Sequence, residues 1–270
     1  MIMQKNKDTM LEILEFIYSK YNKQEFIHPD PLEFLYKYTN KEDIELAGLI
    51  SSSIALGRVE QILAAIDTVL KPLGNKPSET LKTLKKKDLY IIYKDFTYRF
   101  FKTEDIVNLL MSLKKIKEKY LTIENLLYNI YKKNQNLISS LEDLITQMEN
   151  INGHPFGIIL PKPSRGSACK RLFLFLRWMI RKDDVDLGIW NKFNPSNLIV
   201  PMDTHMIDIS SKLFNLQTTK NVSLKRAIEI TKHFSKMNKD DPVKYDFSLT
   251  RFGINRKFNK KELFTNLFKL

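Results

Sequence analysis

Apolar residues recur at helical spacing along nearly the whole chain, whereas the alternating pattern of a half-buried strand is almost absent. Leu11, Leu14, Ile17 and Tyr18 form the first apolar face, and the pattern as a whole predicts an all-α protein. We expect helices over 11–21, 40–56, 59–70, 78–87, 103–119, 122–133, 137–149, 167–182, 203–216, 223–237 and 241–252, with a further amphipathic helix over 259–270.

Capping residues and small residues refine this pattern near the start of the chain. Asp30-Pro31 predicts a cap and first turn for a short second helix, and Asn40 precedes the acidic first turn of the next. The body of that next helix is rich in alanine, glycine and serine, including Ser52 and Ser53. So many small side chains predict close approach by a neighbouring backbone or a ligand.

Composition excludes several classes of protein. The 270 residues are 43% hydrophobic and include 17 Phe, 11 Tyr and 2 Trp, which excludes a disordered chain. The single cysteine, Cys169, excludes a disulfide framework, a thiolate zinc finger and a four-cysteine iron–sulfur cluster within one chain. No apolar run is long enough for a transmembrane helix, and Met1 to Lys7 do not resemble a signal peptide. We therefore expect a cytoplasmic protein without membrane, metal or cofactor.

The net charge is +13, from 44 Lys and Arg against 31 Asp and Glu. This excess favours a polyanionic partner, although the predominance of lysine over arginine is also typical of biased codon usage. Arginine is scarce, yet four of the nine arginines lie within one short segment without acids: Arg165, Arg171, Arg177 and Arg181, with Lys170 and Lys182 beside them. Codon usage does not explain that cluster.

The cluster begins where a loop rich in glycine and proline, 150–165, leads into the apolar helix predicted over 167–182. The backbone N–H groups of a helix start, around Gly166 and Ser167, form an anion site. Lys170, Arg177 and Arg181 fall on one stripe of the helix at about 100° per residue. These residues, with Arg165 and Arg171, are candidates for binding nucleic-acid phosphates. The alternative is that they pair with acids elsewhere or lie at the surface.

Asp203 precedes the helix predicted over 203–216 and has the sequence of an ordinary N-cap. Its surroundings, Val-Pro-Met-Asp-Thr-His-Met-Ile over 200–207, also resemble the signature of the helix-hairpin-helix DNA glycosylase superfamily, which includes endonuclease III and adenine glycosylase. In that resemblance the loop and helix start at 160–170 take the place of the hairpin. The helix around 46–61 resembles the one that lines the lesion pocket, and 241–253 resembles the closing helix.

The chain is similar, over most of its length, to an uncharacterised bacterial family of unknown function. Three marks carry this similarity: Gly-Ser-Ala-Cys-Lys-Arg-Leu at 166–172, Leu-Arg-Trp-Met at 176–179, and Asp-Pro-Val-Lys-Tyr-Asp-Phe at 241–247. The first two lie in the basic segment, and the third opens the closing helix.

The glycosylase resemblance implies a two-lobed helical fold within one globular unit, 1–270. One lobe would be the central segment 40–201 with the helix-hairpin-helix-like element, and the other 1–39 plus 202–270. Double-stranded DNA would bind across the cleft. Asp203 would be the catalytic carboxylate of a DNA-repair N-glycosylase, which hydrolyses the glycosidic bond of a flipped base.

Departures from the superfamily pattern restrict this expectation. Gly166 stands where members that also nick DNA have a lysine, and Lys170 follows one turn later, so we expect a monofunctional hydrolase with Lys170 on a phosphate. Ser53 replaces the wedge glutamine, and Ser52, Ser53 and Tyr245 are candidates for the base pocket or wedge. Two alternatives remain: a non-catalytic nucleic-acid-binding protein on the same scaffold, and a glycosidase acting on RNA or free nucleosides. The sequence does not indicate the oligomeric state.

Overall fold

The computed structural model describes residues 7–217 and 221–254, and this part of the chain is mostly α-helical. The α-helices are α1 (Lys7–Tyr21), α2 (Lys41–Ile54), α3 (Val59–Leu70), α4 (Pro77–Thr83), α5 (Lys86–Ile92), α6 (Thr103–Tyr120), α7 (Ile123–Asn134), α8 (Leu137–Asn152), α9 (Lys170–Ile180), α10 (Thr204–Leu213), α11 (Leu224–Met237) and α12 (Asp246–Ile254). The predicted all-α class is confirmed. The amphipathic helix predicted over 259–270 lies outside the described residues.

The strands found in the described ranges form one short antiparallel hairpin, which the sequence analysis missed. Strands β1 (Thr97–Tyr98) and β2 (Phe101–Lys102) pair in the register Thr97 with Lys102 and Tyr98 with Phe101. They contribute two residues each, which is too short for an alternating pattern to be detected. The hairpin occupies the connection between α5 and α6.

Local capping chemistry explains where several helices begin. Asn40, Asn136 and Ser223 each accept a hydrogen bond from a backbone N–H in the first turn of α2, α8 and α11 respectively. Asp30 caps in the same way, but Pro31–Lys37 is a 3₁₀ helix rather than an α-helix. The helix predicted over 78–87 is interrupted at Leu84, whose backbone is extended, so that α4 and α5 are separate.

The chain divides into two compact units. We call Asp30–Arg165 with Ile189–Phe193 the central unit, and Met1–Pro29, Gly166–Gly188 and Asn194–Leu270 the terminal unit. These boundaries differ from the lobes expected at 40–201 and at 1–39 plus 202–270, because Gly166–Gly188, which contains α9, groups with the two ends of the chain.

The core of the central unit surrounds α2, which is buried on every side from Asp43 to Ile54. It packs against Pro31–Lys37, α3 and α4. Its small residues allow this close approach, and Asp43 accepts a hydrogen bond from the Ser78 backbone N–H at 2.8 Å. A neighbouring backbone, rather than a ligand, therefore accounts for the small residues predicted to favour close contact.

The core of the terminal unit is formed by α1, α9, α10, α11 and α12. Helix α12 packs against both α1 and α10. From Leu172 to Ile180, α9 buries all its residues except Leu174, and Trp178 is completely buried. None of the helices within the described ranges combines the length and apolar character needed to cross a membrane.

Candidate active site

Asp203 caps α10, as its position in the sequence predicts. Its Oδ1 accepts a hydrogen bond from the backbone N–H of Met206 at 2.8 Å. Met202 and Met206 on either side are buried, while 20% of the Asp203 side chain is exposed. The helix start therefore holds one carboxylate oxygen in place, and the carboxylate still reaches solvent.

The other carboxylate oxygen contacts Lys170. The Lys170 Nζ lies 2.7 Å from Asp203 Oδ2, and 34% of the lysine side chain is exposed. Lys170 is the first residue of α9, so the starts of two helices of the terminal unit contribute one charge each. We call these two residues the Asp203–Lys170 pair.

The electrostatic surroundings keep Asp203 ionised. Burial of the carboxyl acts to raise its pKa, but the ammonium of Lys170, the N–H of Met206 and the nearby His205 lower it further than burial raises it. The net effect is a pKa below the usual range for aspartate. Asp203 is therefore an anion at neutral pH, with a positive charge in direct contact.

A second carboxylate, Asp246, lies in the electrostatic field of this pair. It is the first residue of α12, it is 3% exposed, and it forms an ion pair with Arg177. Burial raises the pKa of Asp246, and Arg177 lowers it. The two charges of the pair act as well, since Asp203 raises this pKa and Lys170 lowers it. The net effect is a pKa above the usual range for aspartate. Asp246 is thus a buried acid that is electrostatically coupled to the Asp203–Lys170 pair. It was not among the residues selected from the sequence.

The structure contradicts the expectation that Arg177 and Arg181 bind phosphates. Their exposed fractions are 2% and 3%. Arg177 Nε lies 3.2 Å from Asp186 Oδ1, and Arg177 also pairs with Asp246. The stripe formed by these arginines faces carboxylates inside the terminal unit, which is the alternative that the sequence had left open.

Arg181 is at the centre of the same network of ion pairs. Its guanidinium lies within 2.8 Å of carboxylate oxygens of Asp183, Asp186 and Asp241. Asp183 also accepts hydrogen bonds from Tyr18 and Asn22, each at 3.0 Å. Two arginines and four aspartates thus join α1, α9 and the start of α12, and the role of both arginines is structural.

The other predicted phosphate-binding residues remain accessible to different degrees. Arg165, Gly166 and Ser167 are exposed, and Arg171 is half-buried. Burial lowers the pKa of Arg171 to about 10, so it is still a cation at neutral pH. With Lys170, these residues keep a cationic segment at the start of α9.

The loop that leads into α9 is held by acids of α8. Within the central unit, the Ser164 backbone N–H and hydroxyl both donate to Glu142 at 2.9 Å. Lys162 pairs with Glu149 at 2.7 Å. A short 3₁₀ turn, Pro163–Arg165, follows, and α9 begins only at Lys170 rather than at Ser167. The donors of Ser164 and the ammonium of Lys162 are therefore already engaged by carboxylates.

The proposed base-pocket residues are also buried. Ser52 and Ser53 on α2 are 1% and 0% exposed, so neither forms a wedge or an open pocket wall. Tyr245 is 1% exposed, and its hydroxyl donates to Glu15 at 2.6 Å. The sequence does not distinguish the two cases, because small and aromatic residues occupy cores as readily as pockets.

Besides Asp246, two features of the site were missed from the sequence. One is the direct contact of Lys170 with Asp203, for which only the place of both residues at helix starts was a signal. The other is Asp186, which pairs with both Arg177 and Arg181. Across the described ranges, no three His, Cys, Asp or Glu side chains group so as to hold a metal ion.

Comparison with known proteins identifies the family of this chain. No curated protein and no solved structure matches it. Residues 30–255 match a family described as protein of unknown function, DUF2400. Since this match covers most of the chain, the protein belongs to the DUF2400 family.

Proposed function

We propose that this protein is a monofunctional N-glycosylase that releases a base flipped out of DNA, with Asp203 as its catalytic carboxylate. The observation that supports this most directly is the state of Asp203. It is ionised, it is fixed by the start of α10, and it is still partly exposed. These are the properties required of a carboxylate that acts next to a reacting sugar.

Cleavage of a glycosidic bond develops positive charge on the sugar as the base departs. A fixed carboxylate beside C1′ stabilises that charge and accepts a proton from the attacking water. The N–H of Met206 holds Oδ1 in place. Oδ2, which contacts Lys170, becomes available when the ammonium turns to a DNA phosphate.

The contact with Lys170 raises a second catalytic possibility, which one experiment separates from hydrolysis. An unprotonated amine at Lys170 would attack C1′ and displace the base, and opening of the sugar ring would then give a Schiff base. Hydrolysis by water leaves no such covalent intermediate. We propose hydrolysis because the ammonium is ion-paired in the structure. Borohydride therefore traps no covalent protein–DNA complex if the proposal is correct.

DNA binding is proposed to use the cationic segment at the start of α9. Lys170, Arg165 and Arg171 supply charge, and the net charge of +13 attracts a duplex from a distance. Arg177 and Arg181 are excluded from this surface by their burial.

The test compares base release by the wild type and by Asp203→Asn. Duplexes carry uracil, 8-oxoguanine, alkylated bases or mismatches, and released base is measured directly. Asp208→Asn is the matched control, because Asp208 lies on the same helix and pairs with the exposed Lys212. We expect release by the wild type and the control, and loss of release with DNA binding retained in Asp203→Asn.

The second candidate is a nucleic-acid-binding protein without catalysis. The Asp203–Lys170 pair itself favours it, because an ammonium that neutralises the carboxylate in the resting protein is also the arrangement of a structural ion pair. No base release from any duplex, with equal DNA binding by the wild type and Asp203→Asn, would select this candidate and reject the glycosylase.

A further inference from the structure

We propose that the central unit carries a separate binding site for an unpaired nucleotide of single-stranded nucleic acid, in a cleft between α3 and the β1–β2 hairpin. The α3 cleft is lined by Gln61, Ala64, Thr68, Asp95, Tyr98 and Arg99, among others. None of these residues belongs to the Asp203–Lys170 pair. The inference therefore goes beyond the proposed function and does not depend on it.

The cleft has a volume of about 550 Å³, within the range of roughly 300 to 1,000 Å³ typical of sites for small organic groups. Gln61, Ala64 and Thr68 lie at i, i+3 and i+7 on α3, so one face of the helix forms a wall. Ala64 leaves space there, because its side chain is a single methyl group. The opposite wall is the segment Asp95–Arg99.

Arg99 is held in the cleft by an unusual backbone. Its φ of +54° is in the left-handed region, which an arginine seldom adopts. Its guanidinium packs over Gly57, where an added Cβ would lie 2.9 Å from Arg99 Nη1 and 3.0 Å from the Tyr98 hydroxyl. Gly57 thus supplies the space in which both side chains are placed.

Further hydrogen bonds fix the rest of the hairpin wall. The Tyr98 hydroxyl donates to the Leu56 carbonyl at 2.8 Å. At the other end, the Thr103 hydroxyl donates to the carbonyl of Tyr93 at 2.7 Å. The wall is therefore positioned before any ligand binds.

Arg99 is the natural anion-binding group of this wall. In the part of the chain that the structure describes, no carboxylate forms an ion pair with it, and its guanidinium lies 5.8 Å from the centre of the Phe100 ring. A guanidinium presents a planar pair of donors that matches a phosphate. Nearby, Arg58 and Lys102 are exposed and add positive charge, while Lys94 lies 3.9 Å from the Asp95 carboxylate.

The remaining groups fit a base and its sugar. Gln61 offers an amide that both donates and accepts, and the exposed Asp95 carboxylate accepts from an amino group or a sugar hydroxyl. Tyr98 provides an aromatic surface inside the cleft. Outside it, Phe100 is 62% exposed at the hairpin turn. An exposed aromatic ring beside cations is the arrangement on which single-stranded nucleic acids stack their bases.

Two variants test the cleft without disturbing the fold. Arg99→Gly removes the guanidinium and suits the positive φ, since glycine adopts this region readily. Ala64→Leu fills the cleft from an exposed position on α3. Lys133→Leu is the matched control for both, because it removes one exposed cation and adds one leucine on α7. Circular dichroism melting verifies that all three variants are folded.

Binding is measured by fluorescence anisotropy with a 5′-fluorescein-labelled, 12-nucleotide single strand. We expect Arg99→Gly and Ala64→Leu each to weaken binding about tenfold, in line with the loss of one phosphate contact or one stacked base. Arg99→Gly should also lower the slope of log K against log salt by about 0.7. Lys133→Leu should bind within about twofold of the wild type, since it lies outside the proposed cleft.

Other outcomes overturn the proposal. Wild-type affinity in both cleft variants excludes the site. Equal competition by thymidine 5′-monophosphate and by the strand overturns the assignment to a polynucleotide. Co-sedimentation with phosphatidylserine vesicles that the cleft variants abolish, without strand binding, would mean that the surface contacts a membrane.

The same measurements separate this inference from the proposed function. Asp203→Asn should bind the single strand as tightly as the wild type. Strand binding that depends on Arg99 in a protein that releases no base would retain the cleft and reject the glycosylase. Base release by a protein whose strand binding does not depend on Arg99 or Ala64 would retain the glycosylase and reject the cleft.

Discussion

Glu45 is a buried carboxylate whose surroundings the sequence does not indicate. Glu45, on α2, is 7% exposed, and its two oxygens accept hydrogen bonds from the backbone N–H groups of Ile123 and Glu124 and from the indole of Trp190. Burial raises its pKa to about 7, although these three donors act in the opposite direction. Glu45 therefore changes charge near neutral pH inside the central unit.

The raised pKa of Glu45 predicts that the stability of the protein depends on pH. Replacing Glu45 with a neutral side chain should remove this dependence. The folded state holds the proton more tightly than the unfolded state, whose pKa is about 4.5. The stabilisation from Glu45 is therefore complete below about pH 4.5 and is lost as the pH rises to about 7. In Glu45→Gln, the free energy of unfolding relative to the wild type should rise by about 3 kcal/mol between pH 4.5 and pH 8.

Urea denaturation at a series of pH values measures this difference. Glu118→Gln, an exposed position on α6, is the control for replacing a glutamate with glutamine away from Glu45. If the difference between Glu45→Gln and the wild type is constant over these pH values, Glu45 does not titrate in this range.

At the scale of elements, the helix starts were predictable and their long-range partners were not. Asn40, Asp203 and Ser223 cap helices through hydrogen bonds that span only two or three residues, so local sequence contains the necessary information. The acids that pair with Arg181 include Asp241, 60 residues away. Such a pairing depends on tertiary packing, and periodicity alone made the stripe on α9 resemble a surface.

The buried network predicts a large loss of stability when Arg181 is replaced. Arg181→Met leaves Asp183, Asp186 and Asp241 without their shared cation, which typically costs about 3–5 kcal/mol for a buried pair. Lys182→Met is the matched control, because the neighbouring lysine is exposed, and it should change stability by less than about 0.5 kcal/mol. Chemical denaturation compares the two. Equal stability of the two variants would contradict a structural role for Arg181.

At the scale of the whole molecule, the fold class was predictable and the division of the chain was less so. Helical spacing over the whole length was sufficient to predict an all-α protein. The grouping of Gly166–Gly188 with the chain ends could not be predicted from helical spacing. It depends on tertiary contacts such as the ion pair of Arg177 with Asp246, which joins α9 to α12. The position of Asp203 at a helix start was predicted, but its contact with Lys170 required the structure.

The distribution of charge predicts which cations determine salt dependence. If the cationic segment at the start of α9 binds duplex DNA, Arg165→Ala and Lys170→Ala should each weaken binding and lower the slope of log K against log salt by about 0.9. Lys133→Leu should leave the slope unchanged. Anisotropy titrations from 50 to about 200 mM salt measure it. Slopes equal to that of the wild type in both alanine variants would place the duplex elsewhere.

The two tryptophans provide a built-in means of observing each half of the protein separately. Trp178 is completely buried in the terminal unit, and Trp190 is 5% exposed in the central unit, where its indole donates to Glu45. In Trp178→Phe, intrinsic fluorescence reports Trp190 alone, and in Trp190→Phe it reports Trp178 alone. Emission from Trp190 should also change as Glu45 ionises near pH 7, so the protein carries its own optical indicator of that proton.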